Sequence, residues 1–301
     1  MPTDTEEITA TKATNPWHKA FQEPIPVLDH GFVRLVDWMG DDTAVVDAAR
    51  VSYGPGTSRV SDNRNLIRYL MRHRHTSPFE QCEIKLHLKM PIFVARQWIR
   101  HRTASLNEVS GRYSVIKDEF YLPGAEGWRT QSTTNKQGSD GAHQLGFMID
   151  SEYTDLFSSI KDTYTIAIDK GVAREQARIA LPLSTYTEFY WKIDVHNLLH
   201  FLSLRMDDHA QQEIRVYAEA IAEIVSEWMP ETWQAFVDYR LDAVTLTRLD
   251  VAILASRTQS EAMDKAHSFG WLKKHSRERM EFESKAARLG VSVPWQEANL
   301  E

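Results

Sequence analysis

The 301-residue chain has one cysteine, Cys82, and no run of apolar residues long enough to cross a membrane. One cysteine excludes an intrachain disulfide and any metal site built from several thiolates. A membrane-spanning helix needs about 18 or more apolar residues in a row. The polar first 15 residues also lack the basic and apolar regions of a signal peptide. These absences predict a cytoplasmic protein in a reducing compartment.

Familiar catalytic and nucleotide-binding motifs are missing as well. The sequence contains no GxGxxG, GxxxxGK[ST], HExxH or GxSxG. A nucleotide would therefore bind without a Rossmann or Walker loop. The net charge of −7 argues against general nucleic-acid binding, because that function needs a broad positive surface.

Hydrophobic patterns predict both strands and helices, with a sheet that is antiparallel or mixed. Residues 82–90 alternate strictly between apolar and polar side chains, which is typical of a strand with one buried and one wet face. Periodicity and turn signals predict the other elements. Strands are expected at residues 31–36, 119–122 and 185–193, and helices at 42–50, 61–73, 91–101, 149–170, 195–206 and 210–228.

The chain is expected to divide into three parts. Residues 1–25 are polar and predict a flexible extension, residues 26–244 form the main domain, and residues 245–301 form a helical C-terminal extension. Residues 124–141, rich in Gly, Ser, Thr, Gln and Asn, are interpreted as a mobile surface loop or insertion.

Residues 100–112, RHRTASLNEVSGR, form a cationic cluster in an acidic protein. Residues 96–112 contain four arginines and one acid, Glu108, so their formal charge is +3. Arginine offers a rigid fork of donors that fits phosphate or carboxylate, and backbone N–H groups around Ser110 and Gly111 can add donors. The cluster predicts an anion site, although a solvated basic helix end has the same pattern.

The 12 histidines suggest a second possibility. His196 and His200 lie one helical turn apart, as metal ligands often do. No acidic residue completes a ligand motif at standard spacing, so no metal is predicted. From residue types alone, a protein that binds nucleotide or RNA phosphates without chemistry and a metal-dependent hydrolase both remain open.

The cationic cluster resembles the signature RHRxxSxNExSxR of the flavin-dependent thymidylate synthase (ThyX) family. Other segments resemble family segments in the same order: ARVSYG at 49–54, HTSPFEQ at 75–81, PIFVARQW at 91–98 and LRMDDHAQQEIR at 204–215. The resemblance covers about residues 28–240. The signature's eight fixed positions are all met, by Arg100, His101, Arg102, Ser105, Asn107, Glu108, Ser110 and Arg112.

This resemblance implies the reductive methylation of dUMP to dTMP by the domain at residues 26–244. It implies bound FAD as the hydride relay, 5,10-methylenetetrahydrofolate as carbon donor and NADPH as reductant. It also implies a ThyX-like α+β fold, with a mainly antiparallel sheet and long helices, and a homotetramer whose active sites are shared between subunits. Cys82 lies on the apolar face of its predicted strand and is interpreted as a small buried hydrophobe, which favours a route without a cysteine nucleophile.

The resemblance also implies the site residues. Arg205 is implied as the catalytic residue that polarises the uracil. The dUMP contacts are Gln97, Arg100, Glu108, Val109, Ser110, Gly111, Arg112, Arg178 and Arg205. The FAD contacts are Ser52, Ser77, Glu80, Arg100, His101, Arg102, Asn107, Glu108, Asp194, His196, His200, Leu204 and His209.

Several of these residues have a purely structural alternative. Ser77 and Glu80 fit a capping box around Pro78, Asp194 fits a helix cap, and Arg178 fits a helix-surface arginine. Some family members have Asn, Arg and Asn where this chain has Asp194, His196 and His200. Ser110 is expected to bind ligand rather than act as a nucleophile, because no base lies beside it in the sequence.

Overall fold

The structure is a computed structural model that describes residues 16–51, 63–117, 119–133, 138–273 and 276–295. Two compact units divide between Leu241 and Asp242. Ser52 and residues 1–15 lie outside the described residues. None of the helices in the described ranges is long and apolar enough to span a membrane.

The first unit is built on a five-stranded sheet in the order β1-β2-β3-β7-β4, with every neighbouring pair antiparallel. This confirms the predicted fold class. The strands of the first unit are β1 Ile25–Val27, β2 Gly31–Met39, β3 Glu83–Pro91, β4 Ser105–Glu108, β5 Arg129–Gln131, β6 Ser139–Ala142 and β7 Tyr186–Asp194.

Strand β3 lies at the centre of the sheet and has the predicted alternation. Its apolar side chains pair in register with those of β7, as Leu86 does with Trp191 and Leu88 with Phe189, and all four are buried. The polar face has one exception. Lys89 is buried, and its ammonium group pairs with Glu119 at 2.6 Å.

Helices cover the apolar face of the sheet. Helix α8 (Gln212–Trp228) packs against β1, β2 and α4 (Ile92–Trp98), and α7 (Val195–Arg205) packs against α8 and β7. The helices of the first unit are α1 Lys19–Gln22, α2 Asp42–Arg50, α3 Asn63–Arg72, α4 Ile92–Trp98, α5 Gly146–Asp169, α6 Arg174–Ala177, α7 Val195–Arg205, α8 Gln212–Trp228 and α9 Pro230–Phe236.

The structure differs from the sequence-based expectation in several elements. Residues 16–22 form a 3-10 turn and α1 instead of belonging wholly to a flexible extension. The predicted loop at residues 102–112 contains β4, and the predicted mobile loop at residues 124–141 contains the β5–β6 hairpin. Residues 119–122 form only a bridge, from Phe120 to Thr185. Strand β4 and the Phe120 bridge depend on pairing with residues 185–192, which lie far away in the sequence.

The second unit is helical, as the composition predicts. Its helices are α10 Arg248–Leu254, α11 Gln259–Ser268 and α12 Arg277–Arg288. Trp271, Phe282 and Trp295 form its buried core. A capping box between Thr247 and Asp250 starts α10, and such a cap contributes about 1 kcal/mol.

Candidate active site

Helix α4 delivers the first half of the cationic cluster to the surface. Its apolar side chains Val94, Ala95 and Trp98 are buried, so the opposite face, which carries Arg96, is exposed. The helix ends at Trp98, three residues earlier than predicted. Residues 99–104 then lead to β4 at the edge of the sheet.

A cleft of about 320 Å³ lies between this segment and α7. The side chains of Arg100 and Arg102 are exposed at the cleft, and neither forms a hydrogen bond or ion pair with another described residue. Two unpaired guanidinium groups make the cleft suitable for an anion. Its lining residues are Arg100, His101, Arg102, Thr103, Ile193, Asn197, His200, Leu204 and Arg205.

Arg205 lies at the end of α7 and contacts the motif directly. Its Nε donates to Nε2 of His101 at 3.0 Å, and its Nη2 donates to the backbone carbonyl of Gln97 at 3.4 Å. Burial lowers the pKa of Arg205, but a guanidinium stays charged in proteins. The contact therefore fixes a cation at the floor of the cleft.

His101 is a neutral hydrogen-bond acceptor in this arrangement. Burial, the charge of Arg205 and the neighbouring His200 lower the pKa of His101 to about 4. Because Nε2 accepts from Arg205, the ring proton lies on Nδ1. His101 also packs edge-on against Phe201, with ring centroids 4.9 Å apart.

We expect His101 to make folding stability fall in acid. Its pKa is about 4 in the folded protein against 6.5 as a free side chain, so the unfolded chain binds more protons between these values. Stability contributed by neutral His101 is therefore present above pH 6.5 and is lost as the pH falls toward 4. His101→Gln keeps an acceptor for Arg205 but does not titrate. Urea unfolding of both proteins across this range should give a flatter profile for His101→Gln, and parallel profiles would contradict the assignment.

Helix α7 presents three of the predicted flavin contacts. His196, His200 and Leu204 are spaced four residues apart and therefore share a face, and the last two line the cleft. Asp194 is the N-cap of α7. Its two carboxylate oxygens accept from the backbone and side-chain N–H groups of Asn197, at 2.9 and 2.7 Å. Asp194 therefore forms the helix cap that its position in the sequence allows.

His209 lies elsewhere. It is exposed and pairs with Asp207 at 2.8 Å, and it lines a different depression, of about 480 Å³. Within the described ranges, no group of three or more His, Cys, Asp or Glu side chains is placed to hold a metal ion. The absence of a metal from the protein stays a prediction.

Glu80 lies in a 3-10 turn, Phe79–Gln81, that packs against α7, and Ser77 lies two residues before this turn. The expected capping box is wrong, because the turn begins at Pro78 with no side-chain cap. Backbone N–H groups of Phe79 and Glu80 bond to the carbonyl of Thr76 instead. Both Ser77 and Glu80 are exposed and have side chains available to a ligand.

The second half of the cluster forms a turn after β4. The backbone N–H of Arg112 donates to Oγ of Ser110 at 3.3 Å, while the N–H groups of Ser110 and Gly111 donate to no other described residue. Gly111 is buried, and a Cβ there would lie 2.7 Å from Ile116 and 3.5 Å from Cδ of Arg178. The glycine thus allows Ile116 to pack closely against the turn, with Arg178 in contact beside it.

The two arginines at this turn differ in their partners. Arg112 pairs with Glu175 at 3.4 Å, and both side chains are more than half exposed. Such a surface pair contributes at most about 1 kcal/mol, so an anionic ligand can compete for Arg112. Arg178 is exposed in the 3-10 turn Arg178–Ala180 and pairs with no acid among the described residues.

Strand β4 separates the two halves of the cluster. Val109 continues the pairing through its N–H to the carbonyl of Glu188 at 2.9 Å. Glu108 accepts from the hydroxyl of Thr187 at 2.6 Å, and Asn107 is exposed. A four-residue strand is about 10 Å long. We call residues 97–102 with Arg205 the flavin-side cluster, and residues 110–112 with Arg178 the turn cluster.

Sequence reasoning missed three residues at these clusters. Glu175 pairs with Arg112, Thr187 bonds to Glu108, and Gln211 accepts from the side chain of Gln97. Gln211 falls within the LRMDDHAQQEIR segment, but nothing in its spacing identifies a contact with α4.

The chain is similar to known proteins over most of its length. Residues 34–231 match the family model described as thymidylate synthase complementing protein. A protein of Gluconobacter oxydans named flavin-dependent thymidylate synthase is 53% identical over 254 residues, covering 81% of this chain and 82% of that protein. One of Thermus thermophilus with the same name is 55% identical over 248 residues, covering 81% and 89%.

A solved structure is also similar. The UMP/dUMP methylase PolB of Streptomyces cacaoi, bound with 5-Br UMP, is 36% identical with a TM-score of 0.65. The match covers 72% of this chain and 98% of PolB. With a family model matching most of the chain and relatives more than half identical, the chain belongs to the flavin-dependent thymidylate synthase family.

Proposed function

We propose that this protein methylates dUMP to dTMP, with 5,10-methylenetetrahydrofolate as carbon donor, NADPH as reductant and FAD as bound cofactor. The observation that carries the proposal is the contact of Arg205 with His101 inside the signature segment. Names of relatives, which include flavin-dependent thymidylate synthase and UMP/dUMP methylase, support the same chemistry. Three expectations stay predictions: a cytoplasmic location, the division of the chain into a catalytic domain with two extensions, and the absence of a metal.

The cleft fits part of FAD. Arg100 and Arg102 offer unpaired donors to its pyrophosphate, and His200 and Leu204 offer ring and apolar surface. A cleft of about 320 Å³ lies near the lower limit for ligand pockets, so it encloses only part of a dinucleotide. When bound, FAD supplies the hydride-transfer chemistry that amino-acid side chains lack.

Arg205 would activate the pyrimidine. Methylation at carbon-5 requires a more electron-rich ring, and a fixed cation stabilises negative charge as it develops on the uracil. His101 accepts a hydrogen bond from Nε of Arg205. This contact orients the guanidinium group, and because His101 is neutral, Arg205 keeps its positive charge.

The turn cluster would hold the phosphate of dUMP. Arg178 pairs with no acid among the described residues, and Arg112 is only weakly paired. The backbone N–H groups of Ser110 and Gly111, in the same turn, donate to no other described residue. Guanidinium groups with convergent backbone donors form a suitable site for a phosphate dianion.

We further propose a homotetramer in which one active site combines the flavin-side cluster of one subunit with the turn cluster of another. In one chain, the two clusters lie at opposite ends of β4. Apolar side chains beside the turn cluster are exposed, with Val109 at 55%, Tyr113 at 77% and Ile179 at 81%. Grouped exposed apolar side chains are typical of an interaction surface.

Cys82 is expected to be dispensable. It is fully buried, and burial, with the charges of Asp41 and Asp42, raises its pKa to about 12. A thiol of this kind is neither accessible nor a thiolate at neutral pH. Cys82→Ala should keep kcat within about threefold, because a buried, protonated thiol takes no part in the chemistry and its truncation affects folding stability rather than the site. Loss of turnover in a folded Cys82→Ala protein would instead implicate the thiol.

The cofactor requirement can be tested by absorbance. Purified protein loaded with FAD should be yellow, and NADPH under anaerobic conditions should bleach it. Replacing both Arg100 and Arg102 with glutamine should release FAD, because their charges hold its phosphates. A colourless protein that cannot be loaded with FAD, or one with stoichiometric zinc, would overturn the proposal.

A further inference from the structure

Tyr164 connects helix α5 to the segment that follows the turn cluster. Its side chain is buried, with 2% of its surface exposed. Its hydroxyl oxygen accepts from the backbone N–H of Ile116 at 3.1 Å. The two residues are 48 positions apart in the sequence, so this hydrogen bond fixes a surface segment to the buried side of a long helix.

Ile116 lies directly against the turn cluster. A Cβ at Gly111 would lie 2.7 Å from Cδ1 of Ile116 and 3.5 Å from Cδ of Arg178. The Ile116 side chain therefore packs on the backbone of Gly111, next to the Arg178 side chain. A shift of Ile116 would change the position of the turn relative to Arg178.

Helix α5 also contacts the elements that hold the rest of the turn cluster. It packs against α6 and against the 3-10 turn Arg178–Ala180. Arg174 of α6 donates from Nη1 to the backbone carbonyl of Tyr113 at 2.8 Å, one residue after the cluster. The helix that carries Tyr164 thus supports the cluster from two directions.

We propose that Tyr164 is a positioning residue that holds the backbone N–H groups of the turn beside Arg178, where together they receive the phosphate of dUMP. The inference rests on the proposed function, in which the turn cluster holds this phosphate. Tyr164 acts through Ile116 and does not touch the ligand.

The hydroxyl is the group that matters in this role. Without it, the N–H of Ile116 loses its acceptor, and Ile116 is half-buried. A donor left without a partner favours other turn conformations, in which it reaches water. The conformation that binds phosphate is then less populated, and the affinity for a phosphate-bearing ligand falls by the same factor.

Tyr164→Phe is the direct test, because it removes the hydroxyl and keeps the buried ring. The matched control, Tyr153→Phe, makes the same change about three turns earlier in α5. Tyr153 is 41% exposed, and its hydroxyl bonds to no residue that the structure describes. Ile116→Val is a second, independent variant, because it removes the Cδ1 atom that packs against Gly111.

The measurement compares dUMP with deoxyuridine, which has the same base and sugar but no phosphate. Both dissociation constants are obtained by calorimetric titration of FAD-loaded protein. The ratio of the deoxyuridine to the dUMP constant should fall about 10-fold in Tyr164→Phe and by a smaller factor in Ile116→Val. It should stay within about twofold of wild type in Tyr153→Phe, as for most surface substitutions.

A merely structural role for Tyr164 predicts a different result. A general packing defect would lower the melting temperature and weaken both ligands equally, which leaves the ratio unchanged. In the proposed role, the KM for dUMP should also rise by more than kcat falls. A double-mutant cycle of Tyr164→Phe with Ile116→Val should give less than additive losses in the ratio, because Tyr164 acts through Ile116.

Two outcomes separate this inference from the proposed function. An unchanged ratio in folded Tyr164→Phe and Ile116→Val proteins that bind dUMP would overturn this inference alone. If Tyr164→Phe does not fold, the ratio in Ile116→Val decides. Wild-type protein that does not bind dUMP, or binds it no more tightly than deoxyuridine, would overturn the proposed phosphate site and this inference with it.

Discussion

Arg205→Ala is expected to lower kcat for dTMP formation by about 10²- to 10³-fold, the usual effect of removing a group that stabilises charge in the transition state. The protein should remain folded and yellow, because Arg205 is only half-buried and the unpaired Arg100 and Arg102 remain at the cleft. A second change should accompany the loss. The charge of Arg205 helps to lower the pKa of His101, so that pKa should rise, which NMR titration of the ring measures.

Two variants make the Arg205 result specific. Arg205→Lys keeps the charge but loses the Nε fork that contacts His101, so it should recover only part of the activity. Arg64→Ala removes an exposed arginine that pairs with Glu231 at 3.2 Å and should leave kcat unchanged. If Arg205→Ala turned over within about threefold of wild type, well below the range for such groups, its catalytic role would be wrong.

Coexpression of two inactive variants, Arg205→Ala and Arg178→Ala, is expected to restore activity. Arg205 belongs to the flavin-side cluster and Arg178 to the turn cluster. If each site takes one cluster from each of two subunits, random mixing gives about a quarter of the sites both intact arginines. The measurement is dTMP formation by purified mixed oligomers, compared with each variant alone.

A matched pair tests the geometry of this restoration. Arg100 lies in the same cluster as Arg205, so mixing Arg205→Ala with Arg100→Ala leaves every flavin-side cluster damaged. That mixture should stay inactive. Failure of the first mixture to recover activity would instead mean that both clusters of a site come from one chain.

The elements with a regular hydrophobic pattern could be predicted from the sequence. The strict alternation around Leu86 and Leu88 predicted β3 within one residue of its bounds, and the helix predicted at residues 42–50 is α2. Asp194 was identified as a possible cap, and its carboxylate accepts from Asn197. These features depend on side-chain spacing and local capping.

Other features depend on contacts that no local pattern encodes. All four residues of β4 are exposed, so the strand has no buried alternation and is defined by pairing with β7. The pairing of Arg112 with Glu175 and of Gln97 with Gln211 joins residues far apart in the chain. The signature could therefore indicate candidate site residues, whereas their partners required the fold.

The most direct test of the proposed function is dTMP formation by the purified Cys82→Ala protein, followed chromatographically from labelled dUMP. We predict dTMP when FAD, NADPH and 5,10-methylenetetrahydrofolate are all present, and none when the reductant or the folate is omitted. Formation that proceeds without NADPH, or that is lost in a folded Cys82→Ala protein and present in wild type, would contradict a thiol-free, flavin-dependent route.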